Sequence, residues 1–261
     1  GRSERGRGLG QHDLPADQRQ PLSDGRTVET ETLKRLLDVC DDHGVPITFD
    51  SVGHLLEETG TGGHDGPHPQ GWFDADPGSS VGVDQEVYAP GLLQMIQDRM
   101  ADHEIATHTY SHILCDEIET SVLDWELSTC SRLHREHGLS PPRSIVTPRN
   151  RSIDRGQLTD HGIEVLRVPI SDYDAPDGRL AKFWWMLTRD HPVTAHCRSG
   201  EIVETYCTPH PSLTAAYLPS GLQPTHPAFR SIPIGARKWL HERYLRNAVD
   251  RAVSSSEAVH L

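Results

Sequence analysis

The chain has 261 residues, 35% of them hydrophobic, enough for one large domain built on a single core. Asp+Glu number 38 against 25 Lys+Arg, a formal net charge of −13, and Lys34, Lys182 and Lys238 are the only lysines. This balance argues against nucleic-acid binding, which needs a basic face, and no run of about 18 apolar residues is present to span a membrane. Dense carboxylates stay hydrated in concentrated salt, so a salt-adapted surface is expected, with an ordinary acidic protein as the plainer alternative.

Residues 1–26 are polar and irregular. They begin with Gly rather than Met, so the natural start need not be the first residue, and they hold no signal-peptide core. A helix follows, with Leu33, Leu36, Leu37 and Cys40 as its apolar stripe, ending at Gly44 before the strand-like run VPITF. Residues 58–87 form a Gly/Asp-rich loop insertion, long enough to suggest a functional element. A helix from Pro90 presents Leu92, Ile96 and Met100 and feeds the short strand HEIA. Within 117–137, Ile118, Val122, Trp125 and Leu133 share one helical face, and Gly138 precedes the β-branched run SIV. A short helix over about 154–161 repeats the pattern, with Gly162 leading into a further strand. Residues 171–235 are Pro-rich, with Phe183, Trp184 and Trp185 clustered and a strand expected at 201–206. The last helix, 236–253, puts Leu240, Tyr244, Ala248 and Ala252 on one face, and SSSEAVHL then reads as the start of a strand. Alternating helices and strands predict an α/β domain over 1–261 with a mostly parallel sheet.

The five cysteines, Cys40, Cys115, Cys130, Cys197 and Cys207, are scattered and form no CxxC pair. They signal neither a disulfide framework nor a thiolate zinc site, and a reducing, cytoplasmic setting is expected. The 17 histidines supply two H-x-x-x-H pairs, His64/His68 and His108/His112. Spacing alone does not separate a metal pair from chance. Context does, because Gly66 and Pro67 prevent a helix between the first two. His108 and His112 instead follow a strand at its carboxyl end, where α/β folds place ligands, and a turn of helix there would bring both rings to one face. Two imidazoles and a carboxylate leave a zinc-like ion with an open position for water.

The stretch DHEIATHTYSH resembles the second motif of the polysaccharide deacetylases, G-H-E-I-(G/A)-(S/N)-H-(T/S)-x-x-H, and VPITFDSVGHLLEE is similar to that family's A-T-F-F-V-x-G strand. The resemblance runs in outline from about Thr30 to Val168. It implies a distorted (β/α) barrel of about seven strands and one divalent, zinc-like metal held by Asp, His and His. It also implies a hydrolase that removes acetyl groups from N-acetylated sugars, with an Asp as base and a late His as acid. His108 and His112 take the places of the two metal-binding histidines.

Other motifs depart from the family. T-F-D-D-G is absent; in LSDG, Asp24 stands where the ligand would be and Ser23 where the base would be, although an exposed Asp-Gly turn is the simpler reading. R-P-P-(Y/F)-G is replaced by SIVTPRN, which puts Val146 at the Arg position and leaves Arg149 either as a catalytic group orienting a carboxylate or oxyanion, or as a solvent-exposed arginine. His260 starts the expected last strand, with the acid histidine expected beyond Leu261. The barrel is therefore expected to be incomplete at both ends, and a catalytically inactive or truncated carbohydrate-binding relative is the alternative function. Trp184 and Trp185 are candidates for sugar stacking, Trp72 and Phe73 for a cleft lining, and Asp74 and Asp76 read as solvated loop charges.

Overall fold

The computed structural model describes residues 26–60, 64–74, 76, 78–80, 82, 88–169, 178, 180, 181, 184, 188, 197–207 and 232–257. The chain divides into two compact units, Gly1–Leu166 and Arg167–Leu261.

In the first unit strands and helices alternate as α1 (Thr27–His43), β1 (Thr48–Ser51), α2 (Pro90–Gln97), β2 (Glu104–Thr107), α3 (Thr120–Glu136), β3 (Ser144–Val146) and α4 (Arg155–Asp160). β4 (Val165–Pro169) then carries the chain out of the unit, and these strands neighbour one another in the order β1-β2-β3-β4. β1 pairs with β2 and β2 with β3 in parallel, so each strand returns through a helix. This is an α/β fold of the (β/α)-barrel kind. The three helix-ending glycines behave alike: Gly44, Gly138 and Gly162 take φ of 61°, 73° and 73°, a left-handed turn that a side chain would resist.

The helical stripes are narrower than the sequence suggests. α1 buries Leu37 and Cys40, whereas Leu36 is exposed beside that face. α2 ends at Gln97, so Met100 lies beyond it and is exposed, and the buried pair is Leu93 and Ile96 rather than Leu92 and Ile96. Leu37, Leu56, Leu93, Ile96, Ile105, Tyr110, Cys130 and Leu133 form one core cluster between helices and strands. α3 is the most deeply packed helix: Val122, Leu123, Leu127, Cys130 and Leu133 are all buried, and so is Glu126. Alternation along β2 sends Ile105 and Thr107 toward this helix layer, where the Thr107 hydroxyl meets Cys130 Sγ at 3.2 Å. Glu104, Ala106 and His108 share the opposite face. There Glu104 accepts from Thr48 of β1 at 2.8 Å and Ser144 of β3 at 2.5 Å, tying three strands together.

In the second unit β5 (Cys197–Ser199) and β6 (Ile202–Cys207) form an antiparallel hairpin that turns at Gly200. The sequence predicts only the second of these strands, at 201–206. α5 (Ile234–Ser255) buries Ala248 and Ala252, with Leu240 and Tyr244 half-buried on the expected face. Of SSSEAVHL, Ser254 and Ser255 continue α5 and Ser256 caps it, and the strand start expected at AVHL lies outside the described residues. Among the described residues no helix is long and apolar enough to cross a membrane.

Candidate metal centre

His108 and His112 lie where β2 ends. The His108 N–H still donates to the Ser51 carbonyl at 2.8 Å, so the β1–β2 ladder runs one residue past the strand and places His108 on the Glu104 face. The expected turn of helix does not form. Instead Thr109 and His112 adopt φ of 62° and 59°, and the chain folds back so that the two rings stand 4.9 Å apart. A β-branched residue at positive φ is a true outlier. The cost is offset by contacts on both sides of it, since Gly53 N–H donates to the Thr109 carbonyl at 2.9 Å and Thr109 Oγ1 accepts from Ile113 N–H at 3.2 Å. Arg149 and Asn150, in the turn after β3, both have φ of 52°. Four of the six described non-glycine residues with positive φ therefore sit on the two loops leaving β2 and β3, and such strain concentrates at functional sites.

The donor chemistry at His108 is defined. Its Nδ1 lies 2.7 Å from the Val146 carbonyl oxygen, which can only accept, so Nδ1 carries the proton and Nε2 the lone pair. A backbone acceptor that orients the ring in this tautomer is the usual outer partner of a metal-binding histidine. The pair thus fits a metal as two of its ligands. Among the described residues no third His, Cys, Asp or Glu joins it in a close three-ligand group. Asp24, Ser23, His260, Phe183 and Trp185 lie outside the described residues. Arg149 is exposed, on the short turn Pro148–Asn150 three residues after the carbonyl that holds His108. Trp184 is exposed.

A second cluster, which sequence reasoning passed over, occupies the 58–87 insertion. Thr59 and Ser80 form an isolated antiparallel bridge, and Gly60 N–H donates to the Ser79 carbonyl at 2.8 Å, closing the loop at its base. Inside it the Asp76 carboxylate is fully buried, against the expectation of a solvated loop charge. Asp76 Oδ1 accepts from the Tyr88 hydroxyl at 2.5 Å and from Gly78 N–H at 3.0 Å, while Oδ2 faces His64 Nε2 at 2.7 Å and His54 Nε2 at 3.3 Å. Burial pushes the Asp76 carboxyl up, but these hydrogen bonds outweigh it and hold the group low, at about 2. Asp74, by contrast, is exposed.

Three other described loop residues, His68, Trp72 and Phe73, make specific contacts. His68 Nε2 meets the buried Glu126 of α3 at 2.6 Å, Trp72 Nε1–H donates to Ser111 Oγ at 2.8 Å, and Phe73 stacks on His64 with centroids 3.9 Å apart. Burial pushes the thiols of Cys115 and Cys130 up to about 12, so neither is a nucleophile near neutral pH.

The first unit is thus a parallel α/β sheet that carries an imidazole pair on a strained carboxyl-terminal rim. The sequence profile of the polysaccharide deacetylases matches residues 22–169, more than half of the chain, and the chain belongs to that family. The family is in general metal-dependent and acts on acetylated carbohydrates. Among curated proteins none matches the chain. Similar solved structures include a polysaccharide deacetylase from Mycobacterium smegmatis (15% identity, TM-score 0.46, covering 85% of this chain and 59% of that one). A CE4 family pseudoenzyme from Bacillus anthracis is also similar (16% identity, TM-score 0.38, 82% and 57%). So is a family 4 carbohydrate esterase from Streptomyces lividans in complex with acetate (18% identity, TM-score 0.29, 62% and 77%). The chain spans less than two thirds of the length of the first two.

Proposed function

We propose that the chain is a metal-dependent hydrolase that removes acetyl groups from N-acetylated sugars, with His108 and His112 as two ligands of a divalent, zinc-like ion. The observation that carries this reading is the Val146 carbonyl taking the Nδ1 proton of His108, which leaves Nε2 as the ligand atom beside the His112 ring. Asp24 is the first residue to test as the carboxylate ligand that the family implies.

When bound, such an ion polarises the acetyl carbonyl and lowers the pKa of water. The protein's own part is to hold both imidazoles on a rim whose backbone is locked by the β1–β2 ladder. Arg149, exposed beside that rim, is the proposed catalytic group that steadies the developing oxyanion. The net reaction adds water across the amide C–N bond, giving acetate and a free amine on the sugar. A reducing setting belongs to the same reading, supported by the free thiols of Cys40, Cys115, Cys130 and Cys197.

The test is acetate release from N-acetylglucosamine oligomers by the zinc-supplemented chain in concentrated salt, with bound zinc measured in parallel. Acetate release that is lost in His108→Ala/His112→Ala, together with one zinc equivalent, supports the reading. In Arg149→Ala the rate is expected to fall on the order of 10²-fold, the scale of losing one oxyanion-stabilising group. Sugar binding without acetate release, by chain that holds its zinc, would make the protein the inactive carbohydrate-binding relative.

A further inference from the structure

The loop cluster is separate from the His108/His112 pair and has its own chemistry. His54 comes from the turn Gly53–Leu56 just after β1, and His64 and Asp76 come from the loop that closes over it. One ligand atom from each lies within 4.8 Å of the other two. We propose that His54, His64 and Asp76 form a second metal site, taking a divalent transition ion of the zinc or cobalt type, which clamps the 58–80 loop onto the turn after β1.

Three features favour an ion over a merely polar contact. First, the carboxylate is divided: Tyr88 and Gly78 occupy Oδ1, leaving Oδ2 as the single oxygen toward which both Nε2 atoms converge. Second, outer partners orient the ligands. Tyr110 OH lies 3.0 Å from His64 Nδ1 and can take its proton once an ion replaces the Nε2 proton that otherwise meets Asp76 Oδ2. Third, the spacing is near what an ion needs. A tetrahedral ion with bonds of about 2.0–2.1 Å separates its ligand atoms by about 3.4 Å. The 3.3 Å between His54 and Asp76 already meets this, and the 2.7 Å between His64 and Asp76 needs His64 to withdraw by about 0.7 Å, within reach of a loop side chain. Two imidazoles and one carboxylate select a transition ion over magnesium or calcium, which prefer all-oxygen shells. Side chains of His54 and Asp76 are almost wholly buried and His64 is nearly so, which marks the site as structural.

The test uses the full chain carrying His108→Ala/His112→Ala, which removes the rim pair and leaves the loop cluster intact. Dialysed against zinc or Co2+, this protein is expected to retain one equivalent per chain, with visible d–d absorption in the cobalt form. Adding Asp76→Asn should abolish that equivalent. Tyr88→Phe, which keeps the ring and removes only the outer hydrogen bond, should weaken cobalt binding about 10- to 100-fold. No retained metal in the His108→Ala/His112→Ala protein overturns the proposal, as does cobalt affinity unchanged by both Asp76→Asn and Tyr88→Phe. The deacetylase reading can fail on acetate release while this equivalent is still bound, so the two failures are distinguishable.

Discussion

Gly53 sits where three pieces of backbone and side chain converge. A Cβ built on it would lie 2.9 Å from Cys130 Sγ on α3, 3.1 Å from Tyr110 Cα and 3.2 Å from the Tyr110 ring. No rotamer change relieves all three, since one neighbour is main chain and the others belong to the core cluster. Its N–H also donates to the carbonyl of the strained Thr109, so Gly53 and the fold-back that presents His112 form one unit. Gly53→Ala is expected to destabilise by about 1–3 kcal/mol, the scale of overpacking a filled core. A lowered urea midpoint with an unchanged slope would be the sign, and a midpoint equal to that of the parent chain would refute the packing argument. The glycine that closes the family-like strand thus has a physical cause: only a residue without Cβ allows the chain after β1 to lie against the chain after β2.

At the scale of elements, α3 is the anchor for everything at the carboxyl end of β2. Its Glu126 lies in the middle of a buried face, an unusual place for a carboxylate. Three donors satisfy it: Ser111 N–H at 2.8 Å, Ser111 Oγ–H at 2.5 Å and His68 Nε2 at 2.6 Å. One side chain therefore holds both the loop that presents His112 and the 58–80 insertion. Removing it leaves these donors buried without an acceptor. Glu126→Ala is expected to cost about 3 kcal/mol or more, the scale for breaking a buried charged hydrogen-bond network. Glu126→Gln, which keeps one carbonyl acceptor, should cost less. Protease cleavage within 58–80 should rise in the same order as the loss of stability. Equal cleavage in all three proteins would show that the insertion is held by something other than Glu126.

At the scale of the molecule, the charge of −13 sets the conditions under which the fold is stable. Self-repulsion among like charges opposes the compact state and is screened only beyond a distance of about 10 Å at 0.1 M salt, a range that falls to about 3 Å at 1 M. The melting temperature is expected to rise from dilute buffer to molar potassium chloride. A flat or falling profile would remove the salt-adapted reading and leave an ordinary acidic protein.

Local pattern was enough to determine the α/β class, the helix-capping roles of Gly44, Gly138 and Gly162, and the place of His108 and His112 at a strand end. Each depends on a few neighbouring residues: a cap, a β-branched run, a family-like motif. The sequence could not determine which carboxylates are buried. Asp74 and Asp76 are two residues apart in one polar loop and read alike, yet Asp74 is exposed and Asp76 is enclosed by His54, His64 and Tyr88. Nor did H-x-x-x-H spacing reveal that His64 and His68 serve two different carboxylates, Asp76 and Glu126, from separate parts of the chain. Those partners lie 12 and 58 residues from their histidines, and only the packing of the loop on α3 and on the turn after β1 brings them together. Side-chain burial is decided by such long-range contacts, so it became legible only in the tertiary structure.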